Sequence, residues 1–349
     1  MINNSFFSTE ILRWFRENGR DLPWRETKDP YAIWLSEIIL QQTRIVQGWE
    51  YWERFMQTYP KVEDLATASE DDVLKLWQGL GYYSRARNLH AAAKQIVALG
   101  SFPNTLDGIK SLKGVGDYTA AAIGSFAFDI PAAVVDGNVY RVLSRYFGID
   151  TPINSTQGKK EFAALAQSLL PASDAASYNQ GMMDFGAIQC TPQSPKCLLC
   201  PLAETCEALR NGRVEKLPVK NKTVKVKTRH LSYIYIRCKS SVADGAGNTE
   251  PMIAIHRRGE GDIWQGLWEP YNVSDVKELP SFVKNPILLA KDVKHVLTHR
   301  ILLADFYLLE TETCPQLPDD YIWIKESEIE DYGVPRLIEI MLEKINPAE

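Results

Sequence analysis

Residues Leu112–Arg141 read LKGVGDYTAAAIGSFAFDIPAAVVDGNVYR, and they join a tight turn to two helix starts. Gly114 and Gly116 let the backbone turn tightly and approach another molecule closely. The small-residue run from about Asp117 predicts a helix whose free N–H groups and positive dipole end face that turn. Such a corner binds anions, most commonly phosphate. Asp136 follows an apolar run and stands where a second helix would begin.

Each of these signals is weak when taken alone. Gly-x-Gly precedes helices in many proteins, and an aspartate before a helix is usually only an N-cap. The composition is that of an ordinary globular protein: 349 residues allow two or three domains, with 45% hydrophobic and 24% charged residues. The net charge of −5 argues only mildly against nucleic-acid binding, because local patches matter more than the sum.

The N-terminus lacks the signature of a secreted protein. It has no basic segment followed by an apolar core, and no apolar run in the chain approaches the length of a membrane span. We therefore expect a cytoplasmic protein without a signal peptide.

The six cysteines are unevenly distributed. Cys238 and Cys314 stand alone, whereas the other four follow the spacing C-x6-C-x2-C-x5-C. In a reducing compartment such a cluster indicates a metal ion or an iron–sulfur cluster rather than disulfides. Zinc is the main rival, although zinc ligands more often come as two separated C-x2-C pairs. The four candidate ligands are Cys190, Cys197, Cys200 and Cys206.

The segment YAIWLSEIILQQTRI, Tyr31 to Ile45, predicts a helix that is apolar nearly all round and therefore buried. Glu37 lies in its middle, where burial would raise the pKa of the carboxyl group. This glutamate is either a structural residue paired with an arginine or a general acid that stays protonated near neutral pH. The polar residues Gln41, Gln42 and Thr43 would end the helix.

The segment WQGLGYYSRARNL, Trp77 to Leu89, places aromatic and basic residues after a turn at Gly79 and Gly81. That mixture suits stacking on bases and contacts with phosphates. The simpler interpretation is an ordinary helix start with solvated arginines. The residues concerned are Tyr82, Tyr83, Arg85 and Arg87.

The pattern changes in the last third of the chain. Residues 211–230 are basic and lack helical periodicity, which predicts an interdomain linker that favours a phosphate backbone. The runs LSYIYIRC, PMIAIHRR, ILLADFYLL and YIWIKE then predict strands, and Pro335 to Lys344 predicts a closing helix. We expect a helical region over residues 1–212, a basic linker over 213–230 and an α+β domain over 231–349.

Several motifs occur in one order along the chain and together resemble a known family. They are LPWR at 22–25, EIILQQTRI at 37–45, GLGYYSRARNL at 79–89, LKGVGDYTA at 112–120, VDGNVYRV at 135–142 and the four-cysteine spacing. The combination resembles the MutY family of adenine DNA glycosylases, in the helix–hairpin–helix superfamily of endonuclease III. The resemblance covers nearly the whole chain and is most specific over 22–206.

This resemblance implies a multidomain fold. An all-α catalytic region would have two lobes with DNA and the active site between them, and would carry a helix–hairpin–helix at about 105–128. The loop 190–206 would hold a 4Fe–4S cluster rather than zinc. A Nudix-like α+β domain that recognises the lesion would follow, without diphosphatase activity, because the REXXEE box of Nudix hydrolases is absent from the sequence.

The implied reaction is removal of adenine mispaired with 8-oxoguanine or guanine, a step of DNA base-excision repair. The base is flipped out and its N-glycosidic bond is hydrolysed with acid assistance, a two-carboxylate logic like that of O-glycosidases. Glu37 matches the general acid that protonates adenine at N7. Asp136 matches the carboxylate that stabilises the cationic sugar, and a helix N-terminus would keep it ionised. Tyr118 and Asn138 match residues that support these two, and Arg25 matches a further contact of the site.

The resemblance also implies DNA contacts. Gln42 and Tyr82 match residues that wedge into the base stack. In KHVLTHR, Thr298 and His299 match a recognition loop that usually reads Phe-Ser-His, and Leu297 stands where the aromatic ring is usual. Thr298 keeps a hydroxyl group for a hydrogen bond to the lesion. A monovalent cation at the hairpin turn is also implied. Further DNA-binding candidates are Thr43, Leu80, Arg85, Lys113, Gly114 and Gly116.

One position separates the family from its relatives. Bifunctional glycosylase–lyases carry a lysine where this chain has Tyr118, and that lysine attacks the sugar to form a Schiff base. We therefore predict a monofunctional enzyme that leaves an abasic site. The partner would be double-stranded DNA, bound by a monomer that is cytoplasmic, nucleoid-associated and not attached to a membrane.

Two alternatives remain. An endonuclease III-like glycosylase for oxidised pyrimidines is disfavoured by Tyr118 and by the long C-terminal domain. A non-catalytic iron–sulfur protein that binds DNA is disfavoured by Glu37 and Asp136, because binding alone needs neither carboxylate.

Overall fold

The computed structural model describes residues 4–221, 226–239, 250–274 and 279–346. It divides into two compact units: residues 1–66 with 91–222, and residues 67–90 with 223–349. The predicted division at 212 and 231 stays a prediction, and it differs from these units in the placement of residues 67–90. Within the described ranges, no helix is long and apolar enough to cross a membrane.

Most of the α-helices that the described residues form lie in the first two thirds of the chain. In chain order they are α1 Asn4–Asn18, α2 Pro30–Ile39, α3 Ile45–Thr58, α4 Val62–Thr67, α5 Glu70–Leu76, α6 Ser84–Leu99, α7 Leu106–Lys110, α8 Asp117–Phe128, α9 Gly137–Phe147, α10 Thr156–Leu169, α11 Ala175–Asp184, α12 Glu207–Arg210 and α13 Arg336–Ile345.

Helix α2 is buried along nearly its whole length, as its apolar sequence predicts. Asp29 caps it by accepting a hydrogen bond from the backbone N–H of Tyr31 at 3.0 Å. The predicted extension to Ile45 is wrong, because the helix ends at Ile39 and a turn follows. Gln42 in that turn has φ 57°, a left-handed conformation that cannot continue a right-handed helix.

The region predicted as a helix–hairpin–helix, at about 105–128, contains α7, a turn and α8. Thr105 caps α7, with its hydroxyl oxygen accepting from the N–H of Gly108 at 3.2 Å. Gly114 has φ 77°, which requires the conformational freedom of glycine. Gly116 is the N-cap of α8, and a Cβ there would meet open space, so the backbone is accessible to a partner.

The first unit has an apolar core at its centre and places Asp136 at a helix start. Helices α1, α9, α10 and α11 contribute to one hydrophobic core cluster, and Asp136 is the N-cap of α9, as the sequence predicts. Fully or nearly fully buried members of the cluster include Phe7, Ile11, Val142, Leu143, Phe162, Tyr178, Met182 and Phe185. Because α9 is held on this core, its first turn has a fixed position.

The described residues of the second unit form a mixed seven-stranded sheet in the order β3-β2-β1-β6-β5, with β4 paired to β1 and β7 paired to β2. The β1–β6 pair is parallel, and the other pairs are antiparallel. The strands are β1 Lys227–Cys238, β2 Met252–Arg257, β3 Trp268–Glu269, β4 Tyr271–Asn272, β5 Ile287–Val296, β6 Arg300–Thr311 and β7 Tyr321–Lys325. The four strands and the closing helix expected from sequence are present, and β1 begins four residues before the predicted domain start.

Strand β5 was not predicted from its sequence. It lies at the edge of the sheet, and its burial pattern is mostly exposed or half-buried with two irregularities in register against β6. A strand with little burial has weak apolar alternation, so its sequence lacks the usual signal. The two isolated cysteines, Cys238 and Cys314, are joined by a disulfide, with Cα atoms 5.2 Å apart. Their separation of 76 residues gave no indication of this pair.

Candidate active site

A cleft of about 1000 Å³ in the first unit brings together four of the predicted catalytic residues: Glu37, Tyr118, Asp136 and Asn138. The turn after α2 contributes Gln42 and Thr43 to the same cleft. Residues from α2, α8 and α9 thus meet although they are widely separated in the chain. The arrangement supplies two carboxyl groups, a phenol and polar turn residues around one open volume.

Glu37 is 7% exposed on the buried helix α2. The Tyr118 hydroxyl donates a hydrogen bond to its Oε2 at 2.8 Å. Burial raises the pKa of the Glu37 carboxyl to about 7, the Tyr118 hydrogen bond opposes the rise, and nearby Asp136 adds to it. The group is therefore set to hold and release a proton near neutral pH.

Asp136 is half-buried at the start of α9 and accepts hydrogen bonds from three donors. Its Oδ1 accepts from the backbone N–H of Asn138 at 2.9 Å and of Val139 at 2.8 Å, and its Oδ2 accepts from the Asn138 amide at 2.7 Å. Burial raises the pKa of Asp136, while these hydrogen bonds act in the opposite direction. The expectation that a helix N-terminus holds this carboxylate ionised is thus opposed by burial and stays a prediction.

Arg25 does not point a free guanidinium into the cleft. Its two terminal nitrogens donate to both carboxylate oxygens of Asp184 at 2.8 Å, and Asp184 is fully buried. Burial alone would raise the pKa of Asp184, but hydrogen bonds from Arg25 and Arg20 hold it below its usual value. Arg25 still lines a smaller pocket beside Glu37, together with Trp24. Its charge lowers the pKa of Glu37 from there.

Asp184 and Arg20 were missed in the sequence. Asp184 ends α11 and is followed by a π-helical turn, Phe185–Gln189, that leads to Cys190. It is 159 residues from Arg25, and no motif pairs the two positions. The only available signal was chemical: a buried arginine requires an anionic partner.

The predicted DNA-binding residues of the first unit are accessible. Gln42 is exposed and has a left-handed backbone conformation in the turn after α2. Lys113 is exposed on the hairpin, and its backbone N–H donates to the Gln95 side chain at 2.7 Å. Gly114 and Gly116 flank this hairpin turn, where a monovalent cation stays a prediction.

In the second unit, Tyr82 is 45% exposed with φ 48°, and its hydroxyl group is hydrogen-bonded to the Thr298 hydroxyl. Arg85 is 9% exposed and donates to the carbonyl oxygens of Leu80 and Gly81, both at 3.2 Å. Arg85 therefore stabilises the turn that contains Leu80 and Gly81. Leu80 is buried at 8% exposure and packs within the protein. The DNA contacts predicted for Arg85 and Leu80 have no exposed side chain to make them.

The predicted recognition loop is a tight turn between β5 and β6. Thr298 and His299 are exposed at its tip. Leu297 instead packs against the core cluster of the sheet, and its N–H donates to the carbonyl oxygen of Arg300 at 2.8 Å. The residue that replaces the usual aromatic ring thus anchors the turn to the protein.

The four clustered cysteines line one cavity in the first unit. Arg145 of α9 holds this loop by donating to the Cys190 thiol at 3.4 Å and to the carbonyl oxygen of Thr191 at 2.7 Å. Arg141 donates to the Cys190 carbonyl at 2.7 Å and to the Asn138 side chain at 2.8 Å. Within the described ranges, no group of three or more His, Cys, Asp or Glu side chains is arranged as on a single metal ion. Four thiols around a shared cavity do fit a cluster of several irons.

Three ranges of the chain match known protein families. Residues 35–171 match the HhH-GPD superfamily of base excision DNA repair proteins, 190–206 match the iron–sulfur binding domain of endonuclease III, and 247–344 match the NUDIX domain. An adenine DNA glycosylase of Buchnera aphidicola (subsp. Schizaphis graminum) is 31% identical over 97% of this chain and 98% of its own length. The chain belongs to the adenine DNA glycosylase family. A mouse adenine DNA glycosylase is 42% identical over 61% of this chain and 44% of its own length.

Solved structures of DNA glycosylases share the fold of part of the chain. A thermostable thymine-DNA glycosylase superposes with a TM-score of 0.56 at 34% identity, over 60% of this chain and 97% of its own. Endonuclease III trapped on DNA superposes with a TM-score of 0.53 at 22% identity, over 61% of this chain and 99% of its own, which shows a shared fold. The cysteine spacing left zinc open, and the iron–sulfur match decides for a 4Fe–4S cluster. Cys190, Cys197, Cys200 and Cys206 are the residues that would hold it.

Proposed function

We propose that this member of the adenine DNA glycosylase family acts on double-stranded DNA in base-excision repair. It removes adenine mispaired with 8-oxoguanine or guanine and leaves an abasic site. The observation that carries the proposal is one cleft with two carboxyl groups in different environments: Glu37 in the interior of a buried helix, Asp136 at a helix N-terminus. Cleavage of an N-glycosidic bond needs an acid for the leaving base and an anion for the cationic sugar.

Base flipping comes first. The target adenine must leave the stack, at a cost of about a few kcal/mol. Gln42 and Tyr82 are exposed side chains on turns with left-handed backbone, and we assign them to the wedge that occupies and supports the gap. Lys113 and the backbone N–H groups near Gly116 would contact the phosphates.

Glu37 then acts as the general acid. With a pKa of about 7, a substantial fraction of its carboxyl groups carries a proton at neutral pH. Transfer of that proton to N7 lets the C1′–N9 bond break, with its electron pair leaving on the adenine. Water adds to C1′, and the proton that this water releases restores the acid.

Asp136 stabilises the positive charge that develops on the sugar. The two backbone N–H groups and the Asn138 amide fix its orientation before the substrate binds, so no reorganisation is needed as the charge forms. Tyr118 holds Glu37 through its hydroxyl group and is not a nucleophile of the Schiff-base type. This supports hydrolysis without strand cleavage.

We assign lesion recognition to residues 231–349, joined by the linker 213–230 to the catalytic region 1–212. The support lies in the exposed tip of the β5–β6 turn, where Thr298 presents a hydroxyl group beside Tyr82. The cluster on Cys190, Cys197, Cys200 and Cys206 would brace its loop. Arg141 and Arg145 of α9 also donate hydrogen bonds to backbone carbonyls of that loop.

Single-turnover release of adenine from three short duplexes tests the proposal. Adenine would lie opposite 8-oxoguanine, guanine or thymine, and products would be separated with and without alkali. We expect rapid release opposite 8-oxoguanine and guanine only, with strand breaks appearing only after alkali. No release from any duplex by iron-replete protein would overturn the proposal in favour of a pyrimidine substrate or DNA binding without catalysis.

A further inference from the structure

The segment that carries Tyr82 is attached to the C-terminal domain at both of its ends. Lys75 of α5 donates to the Tyr332 carbonyl at 3.2 Å, and Arg257 donates to Glu70 at 2.8 Å. At the other end, Arg87 in the first turn of α6 donates to the Gln265 carbonyl at 2.6 Å. Residues 67–90 accordingly form one compact unit with the sheet.

The contact made by Arg87 belongs to a closed ring of interactions. Gln265 follows Trp264, whose indole ring lies 6.0 Å from the imidazole of His295 on β5. Three residues along the chain from His295, Thr298 is hydrogen-bonded to Tyr82, and Tyr82 lies five residues before Arg87. The start of α6 completes the ring, because the N–H of Arg85 donates to the Tyr82 carbonyl at 2.8 Å and the N–H of Arg87 donates to the Tyr83 carbonyl at 3.1 Å.

One member of this ring of interactions, Trp264, has a strained backbone. Trp264 has φ 61°, a left-handed conformation that is costly for a large side chain. The indole of Trp264 packs against the hydrophobic core of the sheet and lies under the Arg258 guanidinium, whose central carbon is 5.8 Å from the indole centroid. Strain of this kind persists only where surrounding contacts fix the conformation. The hydrogen bond from Arg87 to the carbonyl of the next residue, Gln265, is one of these contacts.

The Tyr82–Thr298 hydrogen bond needs such support. Both side chains are exposed, so water competes for each hydroxyl group and the bond alone fixes little. Groups held in place before the substrate arrives lose less freedom on binding. Two contacts with the C-terminal part of the unit flank Tyr82 in the chain. Gln78, four residues before Tyr82, is hydrogen-bonded to Glu339 and Val334, and Arg87, five residues after it, donates to the Gln265 carbonyl next to Trp264. The Arg87 contact is the one that leads through Trp264 to β5 and the turn that carries Thr298.

We propose that Arg87 is a positioning residue for lesion specificity: through the Gln265 carbonyl and Trp264 it holds Tyr82 and Thr298 in register for 8-oxoguanine. This inference rests on the proposed function. It predicts that Arg87 affects the choice between 8-oxoguanine and guanine and leaves the chemical step alone.

The test measures single-turnover rate constants for adenine opposite 8-oxoguanine and opposite guanine with full-length, iron-replete protein. The readout is the ratio of the two. Arg87→Ala should lower this ratio about fivefold to tenfold, as expected for the loss of about one hydrogen bond, with the rate opposite guanine within about twofold of wild type. Arg87→Lys, which keeps a donor, should recover part of the ratio.

Three further variants make the test specific. Lys75→Ala removes a contact at the far end of the segment and should leave the ratio unchanged. Trp264→Asn removes the ring but tolerates the left-handed backbone, and should lower the ratio as Arg87→Ala does. In a Tyr82→Phe background, Arg87→Ala should lower the ratio no further, because both changes act on one hydrogen bond.

The outcomes separate this inference from the proposed function. A wild-type ratio near one, or no adenine release, would remove the proposed lesion specificity itself. A high wild-type ratio that Arg87→Ala leaves unchanged would overturn the inference alone. Equal loss on both duplexes, or equal effects of Lys75→Ala and Arg87→Ala, would also overturn it, because each indicates a general structural role. If Arg87→Ala does not fold, an unchanged ratio in Trp264→Asn would overturn it.

Discussion

Glu37 and Asp136 line the same cleft, yet different local structures deliver the two carboxyl groups. Glu37 lies inside α2, where the backbone N–H groups are already bonded within the helix, and a phenol is its hydrogen-bond donor. Asp136 precedes α9, where free backbone N–H groups are directed at its carboxylate. Burial raises the pKa of both groups, but at Asp136 three N–H donors oppose it. A carboxyl group in a helix interior is thus suited to act as an acid, whereas one at a helix N-terminus is suited to act as an anion.

The largest effect should come from removing the acid. Glu37→Gln keeps the shape of the side chain but cannot transfer a proton, so adenine release should fall by about 100-fold to 10,000-fold. Binding of mispaired DNA should persist. Single-turnover assays with Glu50→Gln, an exposed glutamate on α3, provide the matched control. Unchanged release by Glu37→Gln would show that the two carboxyl groups do not differ in the way described.

Removing the anion should have a slightly smaller effect. Asp136→Asn keeps an N-cap oxygen but loses the charge, and release should fall by about 100-fold to 1000-fold. Ser155→Ala removes the cap of α10, where the hydroxyl oxygen accepts from Gly158 at 2.9 Å. That control should lose about 1 kcal/mol of stability with no change in rate. If Asp136→Asn behaves like this control, Asp136 is only a cap.

The comparison also predicts a stability difference. The pKa of Glu37 is raised from 4.5 in the unfolded chain to about 7 in the folded protein. The protein therefore loses stability as the pH rises through this window, up to about 3 kcal/mol at 1.36 kcal/mol per pH unit. Glu37→Gln should unfold at higher denaturant concentration than wild type at pH 8, with a smaller difference at pH 5.5. Equal stabilities at pH 8 would mean that the carboxylate is not strained by burial.

The smallest effect should come from Tyr118→Phe. The rate should decline above pH 7 as Glu37 loses its proton, and decline in acid as Asp136 gains one. The Tyr118 hydrogen bond lowers the pKa of Glu37, so its loss should move the alkaline limb upward by about one pH unit or less. Single-turnover rates between pH 5 and 9 measure this shift. A limb that stays in place or moves downward would assign the upper pKa to another group.

Local sequence signals predicted both carboxyl residues of the cleft. Glu37 stands out as a charge within an apolar helix, and Asp136 stands out as a polar residue between an apolar run and a helix start. The resemblance to a known family added their roles. The limit of α2 was misjudged because Ile45 continues the apolar periodicity, although it begins the next helix.

Contacts between distant residues were beyond the sequence. The Arg25–Asp184 pair spans 159 residues, and the Tyr82–Thr298 hydrogen bond spans 216. The sequence around Arg25 or Tyr82 does not indicate its partner, because only tertiary packing brings the two residues of each pair together. Arg85 was assigned to DNA for the same reason: its type suits a phosphate, but burial directs it to backbone carbonyls.

The hydrogen bonds of Arg141 have a practical consequence for any kinetic comparison. One guanidinium links the Cys190 carbonyl to Asn138, which in turn orients Asp136. We therefore expect iron content to be an experimental variable of adenine release. Variants should be compared per molecule of iron-loaded enzyme, since a batch with vacant loops would mimic a catalytic defect.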